Sequence, residues 1–348
     1  MMRGGLVVAS VVVALGMLEL GLRAWLPGLA AGSAARFELD PDLIYRLRPE
    51  NAVRWSSPEF TEISHTNALG LRGAAVAVKR PGAQRVLALG DSFTYGHGVQ
   101  DAEAYPAVVE ALLRARAHDV QVLNAGVPGY NTDQSYTYAL RDGLALAPDV
   151  IVLGIHCSDV SDNYESSLYD VEDGRLLRRD ARHTRMYELG SVVGWIPAAV
   201  RQSRTFEVLV SSIEWHDAPT ARPAVADLDA WSYEKMRLEV TDLQRRGAEV
   251  GAAVAVVLMP CKKALATAAS DPYGPLARDF RAAGVPVLTS ARALQERERD
   301  LAALFFRDDP HLNADGNRAL ARVVADFLEE QGLVAARPGV VAARADTH

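Results

Sequence analysis

Cysteine is almost absent. Cys157 and Cys261 are the only two in 348 residues, which excludes a disulfide-rich scaffold and any four-cysteine zinc module. Basic charge is also short: 37 Lys and Arg stand against 44 Asp and Glu, for a formal net charge of -7. A binder of nucleic-acid backbones needs a basic face, so no nucleic-acid partner is expected; the densest basic group, Arg178, Arg179, Arg182 and Arg185, reads as a solvated face, with contact to an anionic substrate or lipid surface as the alternative. There is no internal repeat, heptad or low-complexity tract. Gly96-His97-Gly98 lacks the remaining glycine of a dinucleotide fingerprint and falls too late after the preceding strand. His156, Cys157 and Cys261 are the nearest approach to a metal-ligand set and have no ligand spacing, so neither a metal nor another cofactor is expected.

One long apolar run is present. Leu6 to Leu22 is interrupted only by Glu19 among its charged positions, follows Arg3 and precedes Arg23, Trp25 and Pro27. Its length is near the lower limit for crossing a bilayer, while Ala31-Gly32-Ser33-Ala34-Ala35 offers the small residues of a cleavage site. The segment, residues 1–28, therefore reads as a signal anchor or a signal peptide, with the membrane as partner and the remaining chain outside the cytoplasm. A buried N-terminal helix is the competing reading. In an oxidising compartment Cys157 and Cys261, each just past a strand-like run, are placed either to pair or to remain two separate thiols.

Residues 29–84 show little helical periodicity and are expected to form an irregular or hairpin-bearing extension. From Arg85 the pattern changes to short apolar runs alternating with amphipathic ones. Strands are expected at Val86 to Leu89, Val120 to Asn124, Val150 to Gly154, Ala252 to Met259 and Val285 to Leu288. Helices are expected at Ala102 to Ala117, Thr132 to Leu146, Asp227 to Arg246, Pro275 to Ala283 and Ala314 to Glu330. Such alternation specifies an α/β fold: a doubly wound, three-layer, flavodoxin-like parallel sheet of about five strands. The main domain covers 85–333. An insertion after the third strand, 162–227, breaks the rhythm and reads as a lid or as extra packing; 334–348 reads as a disordered tail.

The chemistry sits at two places. The first strand stops at Gly90-Asp91-Ser92, where glycine permits a tight strand-to-helix turn that hands a serine to solvent. Far along the chain, Asp308-Asp309-Pro310-His311 precedes the last helix and supplies an Asp-x-x-His step. Serine needs a base to take its proton, and the base needs a carboxylate to fix its tautomer. Ser92, His311 and Asp308 fill those roles.

These blocks resemble the SGNH, or GDSL-type, hydrolase superfamily over roughly Arg85 to Leu333. Gly90-Asp91-Ser92-Phe93 matches its first block, implying Ser92 as nucleophile. Asn124-Ala125-Gly126-Val127-Pro128-Gly129-Tyr130 matches the second, implying the backbone N–H of Gly126 as an oxyanion donor beside that of Ser92. Asp308 to His311 matches the last. In the third block, Gly154-Ile155-His156-Cys157-Ser158-Asp159, Ser158 occupies the place of the family's oxyanion asparagine. Either Ser158 substitutes as donor, or a neighbour such as His156 or Asn163 does, or activity is weak or absent. Asp91, His156 and Asp159 are further candidates to line the pocket. Thr66-Asn67-Ala68-Leu69-Gly70-Leu71-Arg72-Gly73 is similar to a segment of membrane-tethered bacterial members. The resemblance implies a serine esterase acting outside the cytoplasm on an ester-bearing small molecule, lipid or glycan, without a cofactor. An O-acyltransferase on cell-surface polysaccharide and a non-catalytic glycan- or lipid-binding relative are the alternatives.

Overall fold

The computed structural model describes residues 2–25, 36–165, 167–184, 187–188, 190–191, 200, 203, 205–206, 227–262 and 273–335. Most of the insertion 162–227, the small-residue segment 31–35 and nearly all of the expected tail 334–348 lie outside them.

Helix α1 (Met2–Trp25) is followed by two antiparallel hairpins, β1 (Phe37–Asp40) with β2 (Ile44–Leu47) and β3 (Ala52–Ser56) with β4 (Thr61–His65). The main domain then alternates: β5 (Gln84–Gly90), α2 (Ser92–Tyr95), α3 (Tyr105–Ala115), β6 (Val120–Gly126), α4 (Thr132–Tyr138), β7 (Val150–Ile155) and α5 (Asp159–Glu165). A small hairpin, β8 (Tyr169–Glu172) and β9 (Arg175–Arg178), follows. The chain continues with α6 (Leu228–Glu249), β10 (Ala253–Leu258), α7 (Gly274–Ala282), β11 (Val287–Thr289), α8 (Ser290–Arg297) and α9 (Ala314–Glu330).

The five central strands pair in parallel in the order β11-β10-β7-β5-β6. Numbered along the domain this is 2-1-3-4-5 reversed, the flavodoxin-like winding, which reverses direction beside β5 and opens a crevice at the strands' carboxyl ends. Both faces are covered, so β7, β10 and the Val86–Leu89 run of β5 are continuously apolar rather than alternating. On β7, Val150 and Val152 pack with Val109, Leu113, Leu320 and Val324 of α3 and α9. Ile151, Leu153 and Ile155 face the other layer, with Met236, Val240 and Leu243 of α6 and Phe280 of α7.

The membrane span expected at residues 6–22 is not borne out: among the described residues no helix is long and apolar enough to cross a membrane. Glu19, the charged residue within that run, has partners inside the protein. Its carboxylate pairs with Arg23 at 2.8 Å and accepts the N–H of Thr205 at 2.9 Å and its hydroxyl at 2.8 Å, so this face of the helix is tied to protein. The two cysteines, one just past β7 and one just past its neighbour β10, form a disulfide with Cα atoms 6.1 Å apart.

Candidate active site

The serine turn is built by close approach. At Gly90 (φ +146°) a Cβ would meet the carbonyl of Gly154 at 2.9 Å and collide with the Thr94 hydroxyl, so only glycine lets β5 turn here. Asp91 caps the following helix, its Oδ1 accepting the N–H of Phe93 at 2.9 Å. Ser92 therefore starts α2 at the carboxyl end of a central strand. Arg72 braces the far end of that helix. Its guanidinium donates to the carbonyls of Tyr95 (2.8 Å), Gly96 (2.6 Å) and Val99 (2.6 Å) while pairing with Asp101 at 2.9 Å.

His311 reaches the serine from the loop before α9. Its Nε2 lies 2.7 Å from Ser92 Oγ and its Nδ1 lies 2.7 Å from Asp309 Oδ1. With Asp309 ionised, Nδ1 is the donor and Nε2 is left to accept the serine proton. Burial opposes charge on Asp309, but its hydrogen bonds to His311 hold the carboxyl below the usual range.

The carboxylate is thus Asp309, not Asp308. The Asp308 side chain is 76% exposed and faces Arg307 at 3.5 Å. The reason is local: Asp309 Oδ1 accepts the backbone N–H of His311 at 2.9 Å, an Asx turn across Pro310, and this places the same oxygen against Nδ1.

Gly126 is likewise not placed as an oxyanion donor. Its N–H is spent on Asn124 Oδ1 at 3.0 Å, and its missing Cβ makes room for the backbone of Thr94 and Tyr95, with Tyr95 Cα 2.8 Å from where a Cβ would sit. In the loop that follows, the N–H of Val127 goes to Gly90, that of Tyr130 to Val127, and that of Asn131 to Gln134. Of the backbone N–H groups of residues 126–131, that of Gly129 has no acceptor among the described residues. The β1–β2 hairpin covers this loop, with Tyr45 Oη donating to the Pro128 carbonyl at 3.1 Å and Tyr130 Oη donating to the Tyr45 carbonyl at 2.7 Å.

In the third block, the Ser158 N–H donates to His156 Nδ1 at 3.3 Å and the Ser158 hydroxyl lies 3.0 Å from the same nitrogen. Nδ1 is then an acceptor, and the hydroxyl donates to it rather than toward the serine turn. His156 stacks on Phe93 with ring centroids 4.1 Å apart. Burial, reinforced by the nearby His311, pushes its pKa down to about 3, so the ring is neutral. Asn163 is fully buried and bonded to Thr132 and Ser232, which removes it from the site. Asp91 lies in the serine turn itself, and Asp159 opens α5 after the third block. Both are buried; burial raises the Asp91 pKa to about 6 and, with Asp91 as a neighbouring charge, raises that of Asp159 well above the ordinary range. The Asp159 carboxylate accepts the N–H of His156 at 3.3 Å.

His97, five residues past the serine and open in the sequence to either a pocket or a helix-surface role, lies beside His311. Its ring lies 4.7 Å from that of His311 and is walled by Trp55 and Phe60 of the β3–β4 hairpin. Burial, together with His311, lowers its pKa to about 4. Among the described residues, two triads bring ligand-type atoms within 4.8 Å: His156 with the two cysteines, and His97 with Asp309 and His311. In the first the sulfurs are tied in the disulfide; in the second the His311 nitrogens are engaged by Ser92 and Asp309.

The sequence model of the GDSL-like Lipase/Acylhydrolase family matches residues 88–319, 232 of the 348 residues. The chain belongs to this family. It is an enzyme of the ester-hydrolysing class, and the matched span contains Ser92, Asp309 and His311. No curated protein matches the sequence. Among solved structures, it is similar to the lipase/acylhydrolase from Enterococcus faecalis, at 14% identity and TM-score 0.43 over 73% of this chain and 98% of that one. A putative lipolytic protein of the G-D-S-L family from Desulfitobacterium hafniense gives 13% and 0.41 over 70% and 99%. A catalytic mutant of Axe2, an acetylxylan esterase from Geobacillus stearothermophilus, gives 17% and 0.41 over 75% and 100%.

Proposed function

We propose that this GDSL-family chain is a serine esterase that works through Ser92, His311 and Asp309. The observation that carries the reading is the continuous hydrogen-bonded path from Ser92 Oγ through His311 to Asp309 Oδ1, with both links at 2.7 Å. Ser92 attacks the ester carbonyl as His311 Nε2 takes its proton, and Asp309 steadies the imidazolium that forms. His311 then returns the proton to the departing alcohol. Water, activated by the same histidine, releases the acid from the acyl-serine. The negative oxygen of each tetrahedral intermediate is held by the N–H groups of Ser92 and Gly129; each such donor is worth about 100- to 1000-fold in rate.

The disulfide between Cys157 and Cys261 supports a working place outside the cytoplasm, because such bonds persist where thiols are not kept reduced. Intact mass after thiol alkylation, with and without reductant, reads the bond directly. Protein from the native host that alkylates fully without reductant contradicts this placement.

Turnover of a short-chain chromogenic ester tests the mechanism. Ser92→Ala and His311→Ala proteins are each expected to lose at least about 1000-fold in kcat. Turnover unchanged in either variant excludes the mechanism.

A further inference from the structure

The loop that carries the base, Phe306 to His311, is gripped from two sides by opposite charges. From the turn between β3 and β4, the Glu59 carboxylate accepts three successive backbone N–H groups: Arg307 at 2.7 Å, Asp308 at 3.0 Å and Asp309 at 2.8 Å. From the segment four residues past β10, Lys262 Nζ donates to the carbonyls of Phe306 (2.7 Å), Arg307 (2.7 Å) and Asp309 (3.1 Å). The residue that orients His311 thus has its own N–H and its own carbonyl held by side chains about 250 and 47 positions away in sequence.

The grip is itself fixed. Ser57 Oγ accepts the N–H groups of Glu59 and Phe60, both at 3.2 Å, which sets the turn. Phe60 packs against Phe306 with ring centroids 4.7 Å apart, and Lys262 follows the disulfide-bonded Cys261. The N–H of Asp309, then those of Asp308 and Arg307, hold the Glu59 carboxyl below its ordinary pKa range. Charge-assisted bonds to a row of N–H groups are stronger than neutral ones and directional.

We propose that Glu59 is a positioning residue for the acid–base step: its carboxylate sets the backbone of Asp309, and through it the angle at which His311 meets Ser92. The N-terminal hairpin is then a working part of the active site, with Lys262 its counterpart on the carbonyl side. This rests on the reading of Ser92 and His311 as nucleophile and base. It goes beyond that reading by assigning part of the rate to residues that touch neither substrate nor nucleophile.

The test compares full-length wild type with Glu59→Gln, Glu59→Asp and Lys262→Met on a soluble ester. The downfield proton resonance of His311 Nδ1–H is followed in the same samples. Glu59→Gln puts an amide donor against backbone donors, and Glu59→Asp keeps the charge but is one methylene short. Misplacement of reacting groups by about 1 Å costs up to about 100-fold, so kcat in Glu59→Gln is expected to fall about 10- to 100-fold with KM within about twofold. Glu59→Asp is expected to recover only part of the loss, and the His311 resonance to move upfield and broaden in both. Should Glu59→Gln not fold, Lys262→Met loosens the same loop from the other side and is expected to show the same kcat loss and the same spectral change. A folded Glu59→Gln or Lys262→Met protein with wild-type kcat and an unmoved resonance overturns the proposal, as does a fall in melting temperature alone. Wild-type turnover in Ser92→Ala protein is the separate result that removes the underlying reading.

Discussion

Asp308 and Asp309 are adjacent, identical in chemistry and opposite in placement, so exchanging each for asparagine separates the structure's account from the Asp-x-x-His spacing. Asp309 Oδ1 receives two hydrogen bonds from one residue, the His311 Nδ1–H at 2.7 Å and the His311 N–H at 2.9 Å. Its side chain is 26% exposed, against 76% for Asp308. Replacing a triad carboxylate by an amide drops kcat about 10,000-fold where the carboxylate is deeply buried. At about 1.36 kcal/mol per decade this is about 5 kcal/mol of transition-state stabilisation. Partial solvent access at Asp309 screens some of that charge, which gives an expected loss of about 100- to 10,000-fold for Asp309→Asn. Asp308→Asn touches neither Ser92 nor His311, and kcat is expected to stay within about twofold, as for other exposed substitutions. Both variants are assayed on the same chromogenic ester, with thermal melts to show that each is folded. Asp308→Asn falling as far as Asp309→Asn, or Asp309→Asn retaining near wild-type kcat, refutes the assignment.

Two further expectations concern the groups that support the site. Lys235 and Asp133 are fully buried and paired at 2.8 Å, with Lys235 Nζ also donating to the Asn163 carbonyl at 2.7 Å and to Ser167 Oγ at 3.0 Å. Lys235→Met leaves a buried carboxylate unpaired and is expected to cost about 3–5 kcal/mol in urea unfolding; a loss under about 1 kcal/mol contradicts the pairing. His156 is neutral in the fold down to about pH 3 but takes a proton near pH 6.5 when unfolded. Its contribution to stability is therefore full above pH 6.5 and is lost as pH falls toward 3, by up to about 1.4 kcal/mol per pH unit. Between pH 7 and 4.5 the wild type is expected to lose roughly 2–3 kcal/mol more than His156→Gln, and equal losses refute the neutral, desolvated ring.

The sheet was readable because both its faces are covered. The Val86–Leu89 run of β5 and the whole of β7 and β10 are apolar without alternation, which marks buried parallel strands. The edge strand β11 has only three residues, Val287–Thr289, and the apolar run that announced it starts two residues earlier at Val285. The expected helix over Thr132 to Leu146 is α-helical only to Tyr138 and then widens over Ala139–Gly143, where a Cβ at Gly143 would press on Leu87 at 2.9 Å. Periodicity does not carry that contact.

Within the site, the serine turn and the histidine that meets it were legible because glycine, the capping aspartate and the histidine before a helix are local signals. The partner carboxylate was misread because spacing names a residue and turn geometry chooses its neighbour. Asp-Pro-His is itself an Asx-turn signature, and that was the available clue. The second block was misread for a similar reason: Gly126 is required by the approach of α2, while Asn124 takes its N–H. Glu59 and Arg72 act across the fold, through pairings that no sequence spacing encodes.

The central claim is that Ser92 is an activated nucleophile, and covalent labelling measures this without knowledge of the natural ester. Wild-type protein treated with an organophosphonate probe is predicted to gain one probe mass, mapped to the peptide bearing Ser92. Labelling is predicted to vanish in Ser92→Ala and to slow by at least about 100-fold in His311→Ala. Wild-type protein that stays unlabelled, or labels equally fast without His311, contradicts the account.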